Sequence, residues 1–273
     1  YGGPFFPQGH IKDMFMEGFY EKLNNVNEDI RLIQNTRGLA YGTDAYLLYA
    51  YVRPKSGGIG VELGAGSGVI SLLLLSKGKL SLVHAAEIQE CYADMMRRNA
   101  VINRLEERLI VHWRDIREMA SSDIGGTADV VFTNPPYMKA DSGKSSRYDE
   151  KQIARHEVMG DISDFCAAAS RLLKYGGSFY AVYRPDRLCD LICAARLSGL
   201  EIKRMTFVHS DVMHKPSSVL VEAKKGAFPG VYLTKPLIIK NILNSDSGTE
   251  YVDSPDFAYI YDNGRFKDEY ERP

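Results

Sequence analysis

In 59-IGVELGAGSGVISLLLLSK-77 a short apolar run with β-branched residues passes through three alternating glycines into a second apolar run with helical character. A strand over 59–63, a tight turn at Gly64, Gly66 and Gly68, and a helix from about Gly68 to Lys77 satisfy that pattern. Glycines at such a junction let the backbone turn sharply, approach a ligand closely and pack helix on strand. The helix N-terminus behind them offers free N–H groups. No Gly-Lys-Ser/Thr closes this loop, which excludes a P-loop nucleotidase.

Working outward, the same rhythm repeats, as expected of a parallel sheet with helices on both faces. Strand 81–87 leads to helix 89–103, strand 108–113 to a short helix near 115–121, and strand 128–133 to a polar segment. Helix 161–174, strand 177–184, helix 186–198 and strand 200–209 follow. The strand over 217–225 is expected to be antiparallel, because its predecessor is too near for a helical crossover. Upstream, residues 11–30 read as helix-like, and Thr43 or Asp44 is a capping candidate for an apolar helix. Pro54 and Gly57-Gly58 mark a boundary. One α/β domain is expected over 31–225, between an N-terminal extension (1–30) and a C-terminal appendage (226–273) with short extended pieces.

The 273 residues are 45% apolar and 25% charged, an ordinary globular composition. The longest apolar run, 69–75, is too short to cross a bilayer, and no signal-peptide pattern opens the chain, so a cytoplasmic location without membrane contact is expected. Cys91, Cys166, Cys189 and Cys193 show no C-x-x-C pair and read as reduced core thiols. The six histidines lack metal-ligand spacing, so no metal is expected. Residues 245–273 hold eight acidic and three basic side chains, leaving 27 and 31 over residues 1–244. That mildly basic body permits a polyanionic partner.

Two carboxylates follow the glycines. Glu87 ends the second strand, 23 residues after Gly64, where an acid can accept hydrogen bonds from both ribose hydroxyls of an adenosine-containing cofactor. Asp115 follows the third strand, where it can cap the short helix or meet an adenine amino group covered by Ile116. These features do not separate NAD from S-adenosylmethionine.

The fourth strand runs into 130-VVFTNPPY-137. Prolines cannot join a sheet ladder, so Pro135 and Pro136 stop the strand and stiffen the chain at the edge where open α/β sheets bind ligands. The Asn134 side-chain oxygen and the Pro135 carbonyl can each accept one N–H of a planar amino group, and Tyr137 offers a ring for stacking. A nitrogen so held has its lone pair available for in-line attack on a methyl group, a reaction catalysed mostly by positioning.

With these motifs in order, the chain resembles class I S-adenosylmethionine-dependent methyltransferases acting on planar or exocyclic nitrogens. With 37-RGLAYGTDAYLL-48 and 154-ARHE-157 it most resembles the tRNA (adenine-N6) methyltransferases acting on tRNA1(Val) next to the anticodon. The resemblance spans roughly residues 31–225. It implies a Rossmann-like, seven-stranded, mostly parallel sheet with an antiparallel last strand. It implies a cofactor held by Tyr41, Gly42, Thr43, Glu62, Gly64, Ala65, Gly66, Gly68, Glu87, Ile88, Asp115, Ile116 and Asn134, and a target base met by Asn134, Pro135, Pro136 and Tyr137.

Lys139, Lys144, Arg147, Lys151 and Arg155 either contact phosphates or belong to a solvated loop of mixed charge. Lys203, Arg204, Lys215, Lys224 and Lys225 read as ordinary surface charge. Release-factor glutamine N5-methyltransferases share Asn-Pro-Pro-Tyr but carry a large N-terminal helical domain, for which there is little room here. Ribosomal RNA guanine-N2 and DNA adenine-N6 enzymes are further alternatives. A binding protein with a degenerate site and an NAD-dependent dehydrogenase each leave residues without a role.

Overall fold

The computed structural model describes residues 21–35, 42–53, 55–135, 160–245 and 248–271. A hairpin of β1 (Glu21–Asn25) and β2 (Arg31–Asn35) comes first, then α1 (Thr43–Tyr51). The alternating unit follows: β3 (Ile59–Leu63), α2 (Val69–Ser76), β4 (Leu82–Glu87), α3 (Glu90–Ile102), β5 (Leu109–Trp113) and β6 (Ala128–Thr133). Next come α4 (Ile162–Leu172), β7 (Leu173–Tyr183), α5 (Leu188–Leu197), β8 (Leu200–His209) and β9 (Ser218–Lys225). Short strands β10 (Tyr232–Leu233) and β11 (Leu237–Ile238), a hairpin of β12 (Lys240–Ser245) and β13 (Gly248–Asp253), and α6 (Pro255–Asn263) complete the chain.

The seven major strands lie in the order β5-β4-β3-β6-β7-β9-β8, all parallel except β9, which is antiparallel to both neighbours. This is the expected sheet. Beyond β8, β10 and β11 add two short parallel pairings that extend it to nine strands. Strands covered on both faces read as nearly continuous apolar runs. Val83, Ala85, Val130 and Phe132 pack with α1, α2 and α3 on one side. Val61, Leu63, Ala86 and Val131 pack with α4 and α5 on the other.

Four expectations change. The helix-like reading of 11–30 gives way, over its described part, to β1 and a turn. Asn27 Oδ1 accepts from the amides of Asp29 and Ile30, both at 2.9 Å, an Asx-type turn that competes with helix. The outer edge of β2 is then read by asparagines of α3 and its C-cap. Asn99 exchanges two bonds with the Ile33 backbone (2.7 and 3.1 Å) and Asn103 two with Arg31 (2.9 and 2.7 Å).

The expected short helix near 115–121 is a turn followed by a 3-10 segment at Ser121–Ile124. Asp115 closes that turn by accepting from the Arg117 amide at 2.8 Å. Of the cysteines, only Cys166 is a core thiol; Cys189 and Cys193 are exposed on α5.

Of the basic set on the last strands, Lys215 is exposed, Lys203, Lys224 and Lys225 are half-buried, and Arg204 alone is buried. Lys203 donates to the Phe228 carbonyl, and Lys225 donates to those of Ser170 and Leu173. Arg204 is 1% exposed, the reverse of the surface position expected for it. Its guanidinium lies over the Tyr51 ring, 3.8 Å from the centroid, and donates to the Tyr51 carbonyl at 2.9 Å. It also pairs with Glu222 (3.0 Å) and with Glu271 (2.9 Å) near the C-terminus. The contact to Glu222 is an ion pair without hydrogen-bond alignment. With Ile260, Phe266 and Tyr270 fully buried on the α1 side, residues 226–271 share the main core.

Among the described residues no helix is long and apolar enough to cross a membrane. Arg204→Met leaves Glu222 buried without its nearest partner, and removing one member of a buried pair costs about 3–5 kcal/mol. A matching fall in the denaturant midpoint is expected, and an unchanged midpoint would contradict this role of Arg204.

Candidate functional site

The strands flanking β3 are β4, which follows it in sequence, and β6, which arrives from later in the chain. The chain therefore leaves in opposite directions around β3, and a crevice opens at the carboxyl ends of the strands. Residues 64–68 line it. Gly64, Gly66 and Gly68 all have φ between +54° and +78°, the left-handed region that favours glycine. A Cβ on Gly68 would lie 2.7 Å from Met96 Cγ, so this glycine is also needed for close packing. A Cβ on Gly66 would meet nothing within 4 Å, so its backbone faces open space.

Hydrogen bonds hold the loop down. The amides of Gly64 and Ala65 both donate to the Ala86 carbonyl at 3.0 Å. The Gly66 amide donates to Glu87 Oε2 and the Gln89 amide to Glu87 Oε1, each at 2.9 Å. Burial raises the Glu87 pKa above its ordinary value, against the pull of these backbone donors. The Ser67 carbonyl accepts from Asn99 Nδ2 at 3.0 Å, joining loop, α3 and β2.

Glu62 lies under the loop, 2% exposed, and accepts from the amide (3.2 Å) and the hydroxyl of Ser71 in α2. Burial pushes its pKa up to about 8, while both Ser71 bonds pull it down.

Of the other expected cofactor residues, those described lie at the start of α1 and just beyond β4 and β5. Gly42 and Thr43 are exposed at the start of α1, where Asp44 accepts from the Ser218 hydroxyl at 2.8 Å. Ile88 is half-buried, and its carbonyl accepts from Trp113 Nε1 at 3.0 Å. Asp115 is engaged by Arg117 in an ion pair at 2.5 Å, and that bond lowers its pKa; Ile116 is buried. Tyr41 lies outside the described residues.

On the other side of β3, Thr133 Oγ1 donates to the Leu63 carbonyl at 2.8 Å and locks the end of β6 to the end of β3. Asn134 is half-buried and Pro135 buried immediately beyond. A cavity of about 340 Å³ opens beside Pro135, walled among the described residues by the first turn of α4, the end of β7 and one face of α5. Phe165 stands between cavity and loop: a Cβ on Gly64 would lie 3.3 Å from its ring. Pro136, Tyr137, Lys139, Lys144, Arg147, Lys151, Arg155 and the segment 154-ARHE-157 lie outside the described residues.

Sequence reading missed the clamp residues Ser71 and Asn99, the Trp113 brace, and the cavity wall of Phe165, Tyr183, Arg184 and Arg187. Only the Asn-rich polar positions of α3 carried any signal. Among the described residues, no group of three His, Cys, Asp or Glu is arranged to hold a metal ion.

The methyltransferase small domain model matches residues 38–202. A tRNA1(Val) (adenine(37)-N6)-methyltransferase of Phocaeicola vulgatus is 30% identical over 183 residues, covering 67% of this chain and 76% of the relative. Its namesake in Aeromonas hydrophila is 27% identical over 68% of this chain and 76% of its own. A predicted O-methyltransferase from Agrobacterium tumefaciens has the same fold, with TM-score 0.63 and 22% identity over 81% of this chain and 96% of its own. So does M. jannaschii TYW2 in complex with AdoMet, with TM-score 0.52 and 15% identity over 77% of this chain and 88% of its own.

Fold and crevice together define a class I S-adenosylmethionine-dependent methyltransferase. The chain belongs to the methyltransferase small domain family and is an S-adenosylmethionine-dependent N-methyltransferase. The crevice suits that cofactor: an unobstructed glycine backbone at Gly66 and an acid at Glu87 with its oxygens fixed.

Glu62 gives the site a pH signature. An unfolded glutamate titrates near 4.3, so between about pH 4.5 and 8 the folded state holds a proton that the unfolded chain has lost. Stability therefore falls as pH rises through that window. Glu62→Gln is expected to flatten this part of the stability–pH curve, measured by urea unfolding; an unchanged slope would refute a raised Glu62 pKa.

Proposed function

We propose that the chain transfers the methyl group to N6 of an adenine in RNA, most specifically in tRNA beside the anticodon. The observation that carries this reading is the placement of Asn134 and Pro135 at the carboxyl end of β6, one strand from the glycine loop. The Asn134 amide oxygen and the Pro135 carbonyl accept the two N–H bonds of the target amino group. Fixed acceptors on both hydrogens favour a nitrogen whose lone pair is withdrawn from the ring and free to attack. As nitrogen gains carbon it becomes cationic, and the same two oxygens stabilise it until one proton leaves to water. When bound, S-adenosylmethionine supplies the electrophilic sulfonium methyl group.

In this reading Gly64, Ala65, Gly66 and Gly68 bring backbone against the cofactor, Glu87 accepts its ribose hydroxyls, and Asp115 meets its adenine with Ile116 on the ring. Tyr41, Gly42 and Thr43 close the pocket. Pro136 stiffens the acceptor turn and Tyr137 stacks on the extruded base. Lys139, Lys144 and Arg147 contact RNA phosphates, in keeping with a net charge of +4 over residues 1–244. The names of the curated relatives support the tRNA substrate, and such a substrate implies a cytoplasmic setting.

Asn134→Ala is expected to lower methyl transfer by 100-fold or more, on the order of losing one transition-state acceptor, with calorimetric cofactor affinity nearly unchanged. Loss of cofactor affinity instead would remove Asn134 from the acceptor side. Labelled S-adenosylmethionine offered with separate pools of tRNA, ribosomal RNA, DNA and a release factor should mark tRNA. Label entering only the release factor would move the reaction to a glutamine amide.

A further inference from the structure

Glu87 and Trp113 stand side by side in register at the carboxyl ends of β4 and β5. Trp113 is the only tryptophan of the sequence. It is 54% exposed on the last strand of the sheet, whereas tryptophan is on average a well-buried residue. Filling the core is therefore not its main use.

The polar atom of the indole is committed. Trp113 Nε1 donates to the Ile88 carbonyl at 3.0 Å. That carbonyl belongs to the same peptide unit as the Gln89 amide, which donates to Glu87 Oε1 at 2.9 Å. The other carboxylate oxygen, Oε2, accepts from the Gly66 amide, also at 2.9 Å. One chain of hydrogen bonds thus runs from the indole, through the Ile88–Gln89 peptide and across the Glu87 carboxylate, to the glycine loop. Because the peptide unit is planar, a donor held on its oxygen fixes the direction of its N–H. The same donor polarises the amide and strengthens its bond to Oε1. The next residue adds a second hold: the Arg114 amide donates to the Glu87 carbonyl at 3.1 Å. The end of β5 therefore restrains the backbone of Glu87 directly and its side chain through Ile88.

We propose that Trp113 is a positioning residue for S-adenosylmethionine, its indole N–H aiming the Glu87 carboxylate through the Ile88–Gln89 peptide. The inference rests on the reading of Glu87 as acceptor of the ribose hydroxyls. A carboxylate already held at its working angle loses less freedom when the ribose arrives. Without the indole donor, the Ile88–Gln89 unit is free to tilt and Oε1 loses its aim. The Gly66 amide stays on Oε2, so the loss is partial. None of these bonds involves Asn134 or Pro135, so the effect falls on cofactor binding and not on the transfer step.

A single tryptophan makes an isosteric test possible. The full chain, grown in a tryptophan auxotroph supplied with β-(3-benzothienyl)alanine, carries sulfur in place of the indole N–H at position 113 alone. By calorimetry its affinity for S-adenosylhomocysteine should fall about three- to tenfold, the scale of one net hydrogen bond. In methyl transfer to tRNA the KM for S-adenosylmethionine should rise by the same factor, with kcat and the KM for tRNA unchanged. Trp113→Phe should match the isostere in cofactor affinity. In a Glu87→Ala background, already weakened, the isostere should add no further loss, because the two groups act as one unit.

Equal affinity of isostere and native protein would overturn the role of Trp113 while leaving that of Glu87 in place. Undiminished affinity in Glu87→Ala would overturn the reading of Glu87 itself. A further loss from the isostere in that background, or a fall in kcat and denaturant midpoint that parallels the fall in affinity, would overturn the relay. The comparison of isostere with native protein decides the role of Trp113 even if Glu87→Ala does not fold.

Discussion

One carboxylate holds the site's geometry together. Glu87 ends β4, and its two oxygens take the amide of Gly66 from one loop and that of Gln89 from the next. The left-handed loop and the turn into α3 are thus fixed by the same side chain. The cost is a carboxyl group taken out of water, visible in its raised pKa. From the fixed loop the constraint passes to the acceptor side through the bond from Thr133 to the Leu63 carbonyl. Asn134 and Pro135 therefore start from a backbone position tied to the glycine loop.

The C-terminal segment supports this edge from the far face. Arg204 joins β8 to Tyr51, Glu222 and Glu271. Beside it, Lys79 donates to the carbonyls of Tyr49, Ala50 and Val52, closing the C-terminal turn of α1; burial pulls its pKa down to about 7. The other end of α1 presents Gly42 and Thr43 toward the carboxyl edge and is pinned to β9 through Asp44 and Ser218. Residues 226–271 thus bear on the placement of α1.

Much of the parallel sheet was legible because strands buried on both faces must be apolar throughout, and because glycines 64, 66 and 68 mark the turn after β3. The antiparallel β9 was legible from the short connection at 210–217 alone. The hairpin of β1 and β2 was not. Its stability comes from Asn27 and from Asn99 and Asn103, which stand 66 to 72 residues from the backbone they satisfy. The charge of Arg204 marked it for the surface, whereas Tyr51, Glu222 and Glu271, from three other segments, partner it in the interior. Glu87 was readable as a ligand-edge acid, but not as the clamp on Gly66. The groove beside Pro135 was invisible in sequence, since its walls come from α4, β7 and α5 and share no motif.

The central claim is that a cofactor on the Gly66 side and an acceptor on the Pro135 side face each other across the carboxyl ends of β3 and β6. A crystal structure of the chain with S-adenosylhomocysteine and adenosine tests it most directly. The ribose hydroxyls of the homocysteine nucleoside should lie on Glu87, and the amino group of adenosine should lie between Asn134 and the Pro135 carbonyl. S-adenosylhomocysteine in the cavity along α5, or its ribose away from Glu87, would contradict the account.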